Sequence, residues 1–415
     1  LAPSHRHRSA RDEDTALRAL LAHPVVRQAR ALVHSGDAET LREQKALVQI
    51  AAPTFHEAER ASYVAERFAR IGLADVTTDE AGNVLARFPG APLTDEGALV
   101  LASHLDTVFP AGTDVAPRER DGRIYAPGIT DNCRGLAGLL AVARALVESG
   151  AHTSRPIVFA ATVGEEGAGD LRGVKHLFRE GAPLRAARAF VAVDGSGIRR
   201  IVHRAIGSRR LRVEVDGPGG HSWADRGTPN PLQALGIAVA GLAGLALPSP
   251  ERSSLTVARM AGGTSINAIP DAAWLELDMR SEAPGALPRI ERMARAQVER
   301  AVAAENARRR PGDAALACRL ITIGDRPSGQ TEPDAPLVRA ALDVTSALGE
   351  RPELVASSTD ANLPISLGIP SIAIGAGGDS GGIHTLDEWY SNEKGALGVE
   401  RALLIALAVA GIRPA

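Results

Sequence analysis

Four short apolar runs, each cut off by polar residues, constrain the fold more than anything else in this sequence. They occupy residues 98–102, 156–163, 189–193 and 371–374. Unbroken hydrophobicity over so few residues marks strands buried on both faces, as in a parallel sheet. Helical stretches lie between them. Ala61, Val64, Ala65, Phe68 and Ile71 recur at helical spacing from Glu57 onward, and Gly72 stops the run. Residues 136–147, 336–348 and 394–411 also read as helices. Strands alternating with helices predict an α/β layer with a mostly parallel sheet.

The middle of the chain has a different period. Leu211, Val213 and Val215 alternate with Arg212 and Glu214, and Leu275, Leu277 and Met279 alternate with Glu276, Asp278 and Arg280. Such strands have one apolar face. Helical stretches over 231–245 and 287–304 complete the order strand–helix–strand–strand–helix–strand, a ferredoxin-like α+β module. The expected division is a first α/β part over 1–207, an inserted domain over 208–323 and a second α/β part over 324–415. A chain of 415 residues has room for two or three domains of about 100–200 residues. Residues 1–15, with His5, Arg6, His7 and Arg8, read as a solvated, disordered tail.

Composition removes several function classes. The formal net charge of −2 gives no basic excess for phosphates, so no nucleic-acid partner is expected. Two cysteines, Cys133 and Cys318, cannot build a disulfide framework. No apolar run reaches the ~20 residues of a membrane span, so no membrane partner is expected either. The chain starts at Leu1 rather than Met, which implies processing or trimming and leaves cytoplasm and export both open.

Polar residues gather where the apolar runs end, which is where open α/β sheets bind ligands. Four of the segments are Ser103-His104-Leu105-Asp106-Thr107, Gly128-Ile129-Thr130-Asp131-Asn132, Thr162-Val163-Gly164-Glu165-Glu166-Gly167 and Val193-Asp194-Gly195. The fifth is Gly381-Gly382-Ile383-His384-Thr385. Singly, each has an ordinary explanation: a surface pair, an N-cap, helix-start carboxylates, a turn Asp, a loop His. Together they supply His104, His384, Asp131, Glu165, Glu166 and Asp194, with Asp106 placed to orient the His104 ring. Imidazole and carboxylate are the ligands of zinc and similar ions, and six groups exceed the four that one zinc takes. Two ions sharing one bridging carboxylate would use five groups and leave one carboxylate free to carry a proton.

In order and context these motifs resemble the M20 metallopeptidase family, which includes glutamate carboxypeptidase, peptidase T, aminoacylases and acetylornithine or succinyl-diaminopimelate deacylases. The likeness covers nearly the whole chain after about residue 40. It rests on His104-Leu105-Asp106-Thr107-Val108, Gly128-Ile129-Thr130-Asp131-Asn132, Gly164-Glu165-Glu166-Gly167, Asp194-Gly195 and Gly382-Ile383-His384. The resemblance implies a zinc-exopeptidase-like catalytic domain whose inserted domain serves as lid and dimerisation surface. It implies two divalent ions, zinc or else cobalt or manganese. Asp131 would bridge them. His104 and Asp194 would complete one ion's ligands, and Glu166 and His384 the other's. Glu165 would be the general base, and Asp106 would orient His104. His221, in Gly219-Gly220-His221-Ser222, resembles a histidine that reaches the partner subunit's active site and supports the oxyanion. Asn267 and Arg280 resemble residues that hold the substrate's carboxylate, which an Arg fork suits.

The implied activity is hydrolysis of an amide bond in a small peptide by a metal-bridging hydroxide, in a homodimer joined through the lid. The alternative is an N-acyl amino acid deacylase on the same scaffold. A non-catalytic metal-binding or sensor protein is more remote, because the ligand set and Glu165 are intact. Three smaller expectations complete the reading. Cys133 is a small buried neighbour rather than a reactive thiol. Ser358-Thr359-Asp360-Ala361-Asn362 resembles a cleft-lining segment of the family. The loop over 375–382, with five glycines, is mobile and able to close over substrate.

Overall fold

Each apolar run forms a strand, and the four strands lie side by side. In the computed structural model, which describes residues 10–90, 97–247 and 252–413, they run Ile157–Thr162, Leu99–His104, Ala189–Val193, Ser371–Ile374 across the sheet. All three pairings among them are parallel, so their carboxyl ends share one edge. The register sets His104 level with Thr162, and Ala102 level with both Ala160 and Ala192. Leu99–His104 and Ala189–Val193 are buried at every position, which explains why neither alternating face is polar. The margins of this nine-stranded sheet are antiparallel: Val84–Arg87 pairs with Ile157–Thr162, and Arg200–Ala205 with Ser371–Ile374. Residues 1–9 of the expected tail lie outside the described residues, and residues 10–15 are not a disordered tail but open the helix Ala10–Ala22.

The helix Cys133–Glu148 begins directly behind the second polar segment and is buried along most of its length. Its N-cap is Asn132, whose side chain accepts the Gly135 N–H at 3.1 Å, so Asp131 is not spent on capping. Gly135 lets the helix start close against the sheet: a Cβ there would lie 2.3 Å from the Val193 carbonyl oxygen. The helix Ala58–Ile71 buries Ala61, Val64 and Phe68 and ends at Gly72, whose φ of +93° is left-handed.

The glycine-rich segment after Ser371–Ile374 is not the mobile loop expected from its composition. A Cβ on Gly375 would lie 1.8 Å from the Ser196 carbonyl oxygen, and one on Gly378 would enter the Tyr390 ring. Asp379–Gly381 then pairs with Trp389–Ser391, which pairs with Arg123–Tyr125. These glycines serve close packing rather than freedom.

Residues 205–329 form a second compact unit, and 1–204 with 330–415 form the first. The second is wider than 208–323 because the strands that open and close it along the chain, Gly207–Asp216 and Ala317–Arg326, pair along their length. Its four-stranded sheet has the order Ser253–Gly262, Ala272–Ser281, Gly207–Asp216, Ala317–Arg326, all antiparallel. Leu211, Val213, Val215, Leu275, Leu277 and Met279 cover one face and share a core with helices Pro231–Ala243 and Ala286–Asn306. The other alternating set pairs by charge, with Arg212 on Glu214 and Glu276 and Arg210 on Asp278.

Candidate metal centre

Strand ends and one helix entrance bring the expected groups together. His104 ends its strand, Glu165 and Glu166 follow Ile157–Thr162, and Asp194 follows Ala189–Val193. Asp131 precedes the helix Cys133–Glu148 and is joined to Asn132 by a cis peptide bond. His384 stands in the turn between Asp379–Gly381 and Trp389–Ser391, with φ at +64°. Their ligand atoms fall into three groups, each within 4.8 Å: His104, Asp131 and Asp194; Asp131, Glu166 and His384; His104, Glu165 and Glu166.

Each oxygen of Asp131 faces a different histidine. His104 Nε2 is 3.0 Å from Asp131 Oδ1 and 3.7 Å from Asp194 Oδ1. His384 Nε2 is 3.2 Å from Asp131 Oδ2 and 3.0 Å from Glu166 Oε1. Ligands about 2.0–2.1 Å from a tetrahedral ion sit roughly 3.3 Å from one another, so these separations fit a shared cation on either side of Asp131. Asp131 Oδ1 is buried and, despite the 3.0 Å approach of His104, makes no hydrogen bond. A buried carboxylate oxygen with no well-aligned hydrogen-bond donor is costly unless something else binds it, and a cation would.

The field of the centre is strongly negative. Asp131 and Glu166 hold the His384 imidazole up at about 10. Burial disfavours a charged His104, yet Asp106, Asp131 and Asp194 together hold it well above the usual imidazole range. Burial would raise Asp131, but His104 and His384 hold it well below the usual carboxylate range. Groups so placed favour a cation that displaces the protons of the two imidazoles.

Asp106 is fully buried. Its carboxylate accepts the backbone N–H of Glu165 at 2.9 Å and of Glu166 at 3.0 Å, and the Thr54 hydroxyl at 2.8 Å. His104 Nδ1 lies 3.1 Å from the Asp106 carbonyl oxygen and 3.6 Å from the carboxylate. The ring is therefore held mainly by the backbone, which keeps a proton on Nδ1 and turns Nε2 to the centre. Cys133 is buried, and burial pushes its thiol up to about 11.

Residues 100–408 match the profile of peptidase family M20/M25/M40. The chain belongs to that family. It is 28% identical over 365 residues to YqjE of Bacillus subtilis, covering 84% of this chain and 92% of that protein. Over 244 residues it is 27% identical to a succinyl-diaminopimelate desuccinylase of Corynebacterium glutamicum, covering 56% of this chain and 64% of the enzyme. Among solved structures, a tripeptidase of Staphylococcus aureus matches at TM-score 0.72 and 26% identity, covering 90% of this chain and 98% of that one. As an M20 peptidase the chain is a hydrolase, and its His, Asp and Glu groups fit divalent ions. No described helix is long and apolar enough to cross a membrane.

The other expected residues of this M20 chain lie in the inserted unit. His221 is on the short strand Gly220–His221, paired with Ala268–Ile269, and the Ser222 N–H meets the Asn267 carbonyl oxygen at 3.0 Å. His221 and Asn267 thus share one two-stranded ribbon. Arg280 is elsewhere, on Ala272–Ser281, where its Nε donates to Asp278 at 2.7 Å. Thr54 and Glu388 support the M20 centre with no sequence signal of their own. Glu388 is fully buried and accepts the backbone N–H groups of Gly128, Thr130 and Asp131 at 2.8, 2.8 and 3.0 Å. In the segment expected to line the cleft, residues 359–362 are buried, and Asp360 accepts the Thr162 hydroxyl at 2.5 Å. Burial raises the Asp360 carboxyl to about 6.

Proposed function

We propose that this M20 peptidase cleaves the amide bond of small peptides, using two divalent ions and Glu165 as general base. One observation carries the reading: Asp131 belongs to two ligand groups at once, and Glu165 belongs to a third beside them. His104, Asp131 and Asp194 would hold one ion, and Asp131, Glu166 and His384 the other. Zinc suits this mixture of imidazole and carboxylate, with cobalt or manganese as substitutes. Bound ions would supply Lewis acidity, lowering the pKa of a water and polarising the scissile carbonyl. Glu165 would take the water's proton and deliver it to the departing amine. Asp106, through the amides of Glu165 and Glu166, would fix where that base stands.

The inserted unit would supply the substrate contacts. Arg280 and Asn267 would hold the substrate's terminal carboxylate, and His221 would donate to the oxyanion in the partner subunit of a homodimer joined through this unit. A second reading, hydrolysis of N-acyl amino acids, is favoured by the similarity to a desuccinylase. Both make the same demands on the centre and differ in what lies beyond the scissile bond.

The test is hydrolysis of a mixed panel of dipeptides, tripeptides and N-acyl amino acids by protein loaded with zinc, cobalt or manganese, read by mass spectrometry. Peptide cleavage that stops with chelator and returns with metal is expected. Cleavage confined to the acyl substrates would replace the peptidase reading with the deacylase one. Full metal occupancy with no cleavage at all would leave a binding protein.

A further inference from the structure

Glu388 has no part in the proposed reaction, yet it is a fully buried carboxylate beside the centre. Its Oε2 accepts the N–H of Gly128, and its Oε1 accepts those of Thr130 and Asp131. Three backbone donors of one loop thus converge on one side chain, forming an anion nest filled by the protein's own carboxylate. The backbone of Glu388 joins in, its carbonyl accepting the Ala126 N–H at 3.0 Å. Just beyond it, Trp389 and Tyr390 pair in antiparallel register with Tyr125 and Ile124. The loop that ends in Asp131 is therefore zipped to the turn that carries His384. That turn is tight: the Thr385 N–H meets the Gly382 carbonyl oxygen at 2.9 Å, the Glu388 N–H meets that of Thr385 at 3.2 Å, and His384 is held in the left-handed region.

This arrangement places a second buried carboxylate close behind Asp131, which is unfavourable for either charge unless cations sit nearby. It also decides where Asp131 stands. With its own N–H and two neighbouring ones fixed, the Asp131 side chain is aimed between the two histidines by the loop rather than by its own rotamer alone. His384 is the more exposed of the two histidines, with its side chain 51% exposed against 3% for His104. Its place depends on the turn, and the turn is tied down through Glu388.

We propose that Glu388 is a positioning residue for the metal centre, holding Asp131 and His384 at the separation that the second ion needs. This rests on the reading of the cluster as a two-ion site. In that role Glu388 would act through the loop and the turn, without ligating an ion itself. Supports of this kind change metal affinity by about 10–100-fold when removed.

The experiment titrates cobalt into full-length apoprotein and follows the visible bands, with zinc affinity measured by chelator competition and folding followed by circular dichroism. Glu388→Gln is nearly isosteric but turns an NH2 against one of the loop's N–H donors. It is expected to take the first ion as the parent does and to bind the second at least tenfold more weakly, with altered cobalt bands. Glu388→Asp, which keeps two acceptor oxygens, should recover part of that loss and stands in if the Gln variant does not fold. Leu407→Ala, buried in the helix Gly395–Ala410, controls for destabilisation and should bind both ions normally. Two ions bound by Glu388→Gln with parental affinity and spectrum would overturn the inference, and so would an equal loss in Leu407→Ala. Parent protein that binds two ions but hydrolyses nothing would sink the proposed reaction and leave this inference standing. Parent protein that binds none would overturn both.

Discussion

The carboxylate of Asp106 is bound more closely to Glu165 than to His104: Oδ1 accepts the Glu165 N–H at 2.9 Å and stays 3.6 Å from the imidazole. Its first effect is therefore on Glu165, the proposed general base. Asp106→Asn keeps the shape but sets an amide NH2 against one of the three donors around it. Turnover is expected to fall by about 10–100-fold with both ions retained. Asp106→Ala leaves buried N–H groups unpaired, at about 1–3 kcal/mol each, and should lower the melting temperature as well. Metal analysis beside steady-state kinetics separates the two effects. Loss of an ion in Asp106→Asn would return the residue to the role of imidazole holder.

Glu165 lies within the group formed with His104 and Glu166 but belongs to neither of the two proposed ion-holding groups that share Asp131. Glu165→Gln should therefore keep its metal while losing about 10²–10⁴-fold in turnover, the range for a general acid–base group. Elemental analysis of the purified variant checks the first half of this statement. A variant that loses an ion would mean that Glu165 is a ligand.

The parts of this centre that were legible in the sequence are those that follow from strand periodicity. A run such as Leu99 to Ala102 has no polar face, so it must be buried, and the residues at its end must sit at the sheet edge. His104, Glu165, Glu166 and Asp194 were found that way, and the alternation around Leu211 and Leu275 exposed the second sheet. Glu388 was not legible, because its partner N–H groups belong to a loop 257 residues earlier at Asp131. The antiparallel pairing of Trp389 and Tyr390 with Tyr125 and Ile124 brings them together. The glycines from Gly375 to Gly382 misled for another reason. Composition cannot tell a glycine that gives freedom from one that admits a neighbour, and the Ser196 carbonyl oxygen against Gly375 is the second kind.

A metal ion at the proposed site would compete with protons for His384. In the apoprotein Asp131 and Glu166 raise its pKa from 6.5 to about 10. A raised folded-state pKa stabilises the fold fully below about 6.5 and ceases to do so as pH climbs through about 10. Chelated protein should therefore lose melting temperature over that window. Metal binding needs the neutral ring and must expel its proton, so apparent affinity should rise with pH across the same window, by up to about tenfold per unit for each proton released. Calorimetry at pH 7.5 in buffers of different ionisation enthalpy would count those protons. A count of zero would show that His384 does not bind as a neutral ligand.

His221 carries its proton on a determined nitrogen. Nδ1 accepts the backbone N–H groups of Trp223 at 3.2 Å and Ala224 at 3.3 Å, so a neutral ring must be protonated at Nε2. That leaves an exposed N–H donor, the group an oxyanion requires, and His221→Ala is expected to lower turnover by about 10²–10³-fold. Because the side chain is exposed, stability should barely change. Whether it serves its own chain or a partner is decided by mixing two weak variants, Glu165→Gln and His221→Ala, after dissociation and reassembly. If His221 acts across a dimer, each mixed pair contains one site with both an intact Glu165 and an intact His221. Random pairing should then restore about a quarter of parental activity. If His221 acts within its own chain, every site in the mixture keeps one defect, and activity stays at the level of the variants alone.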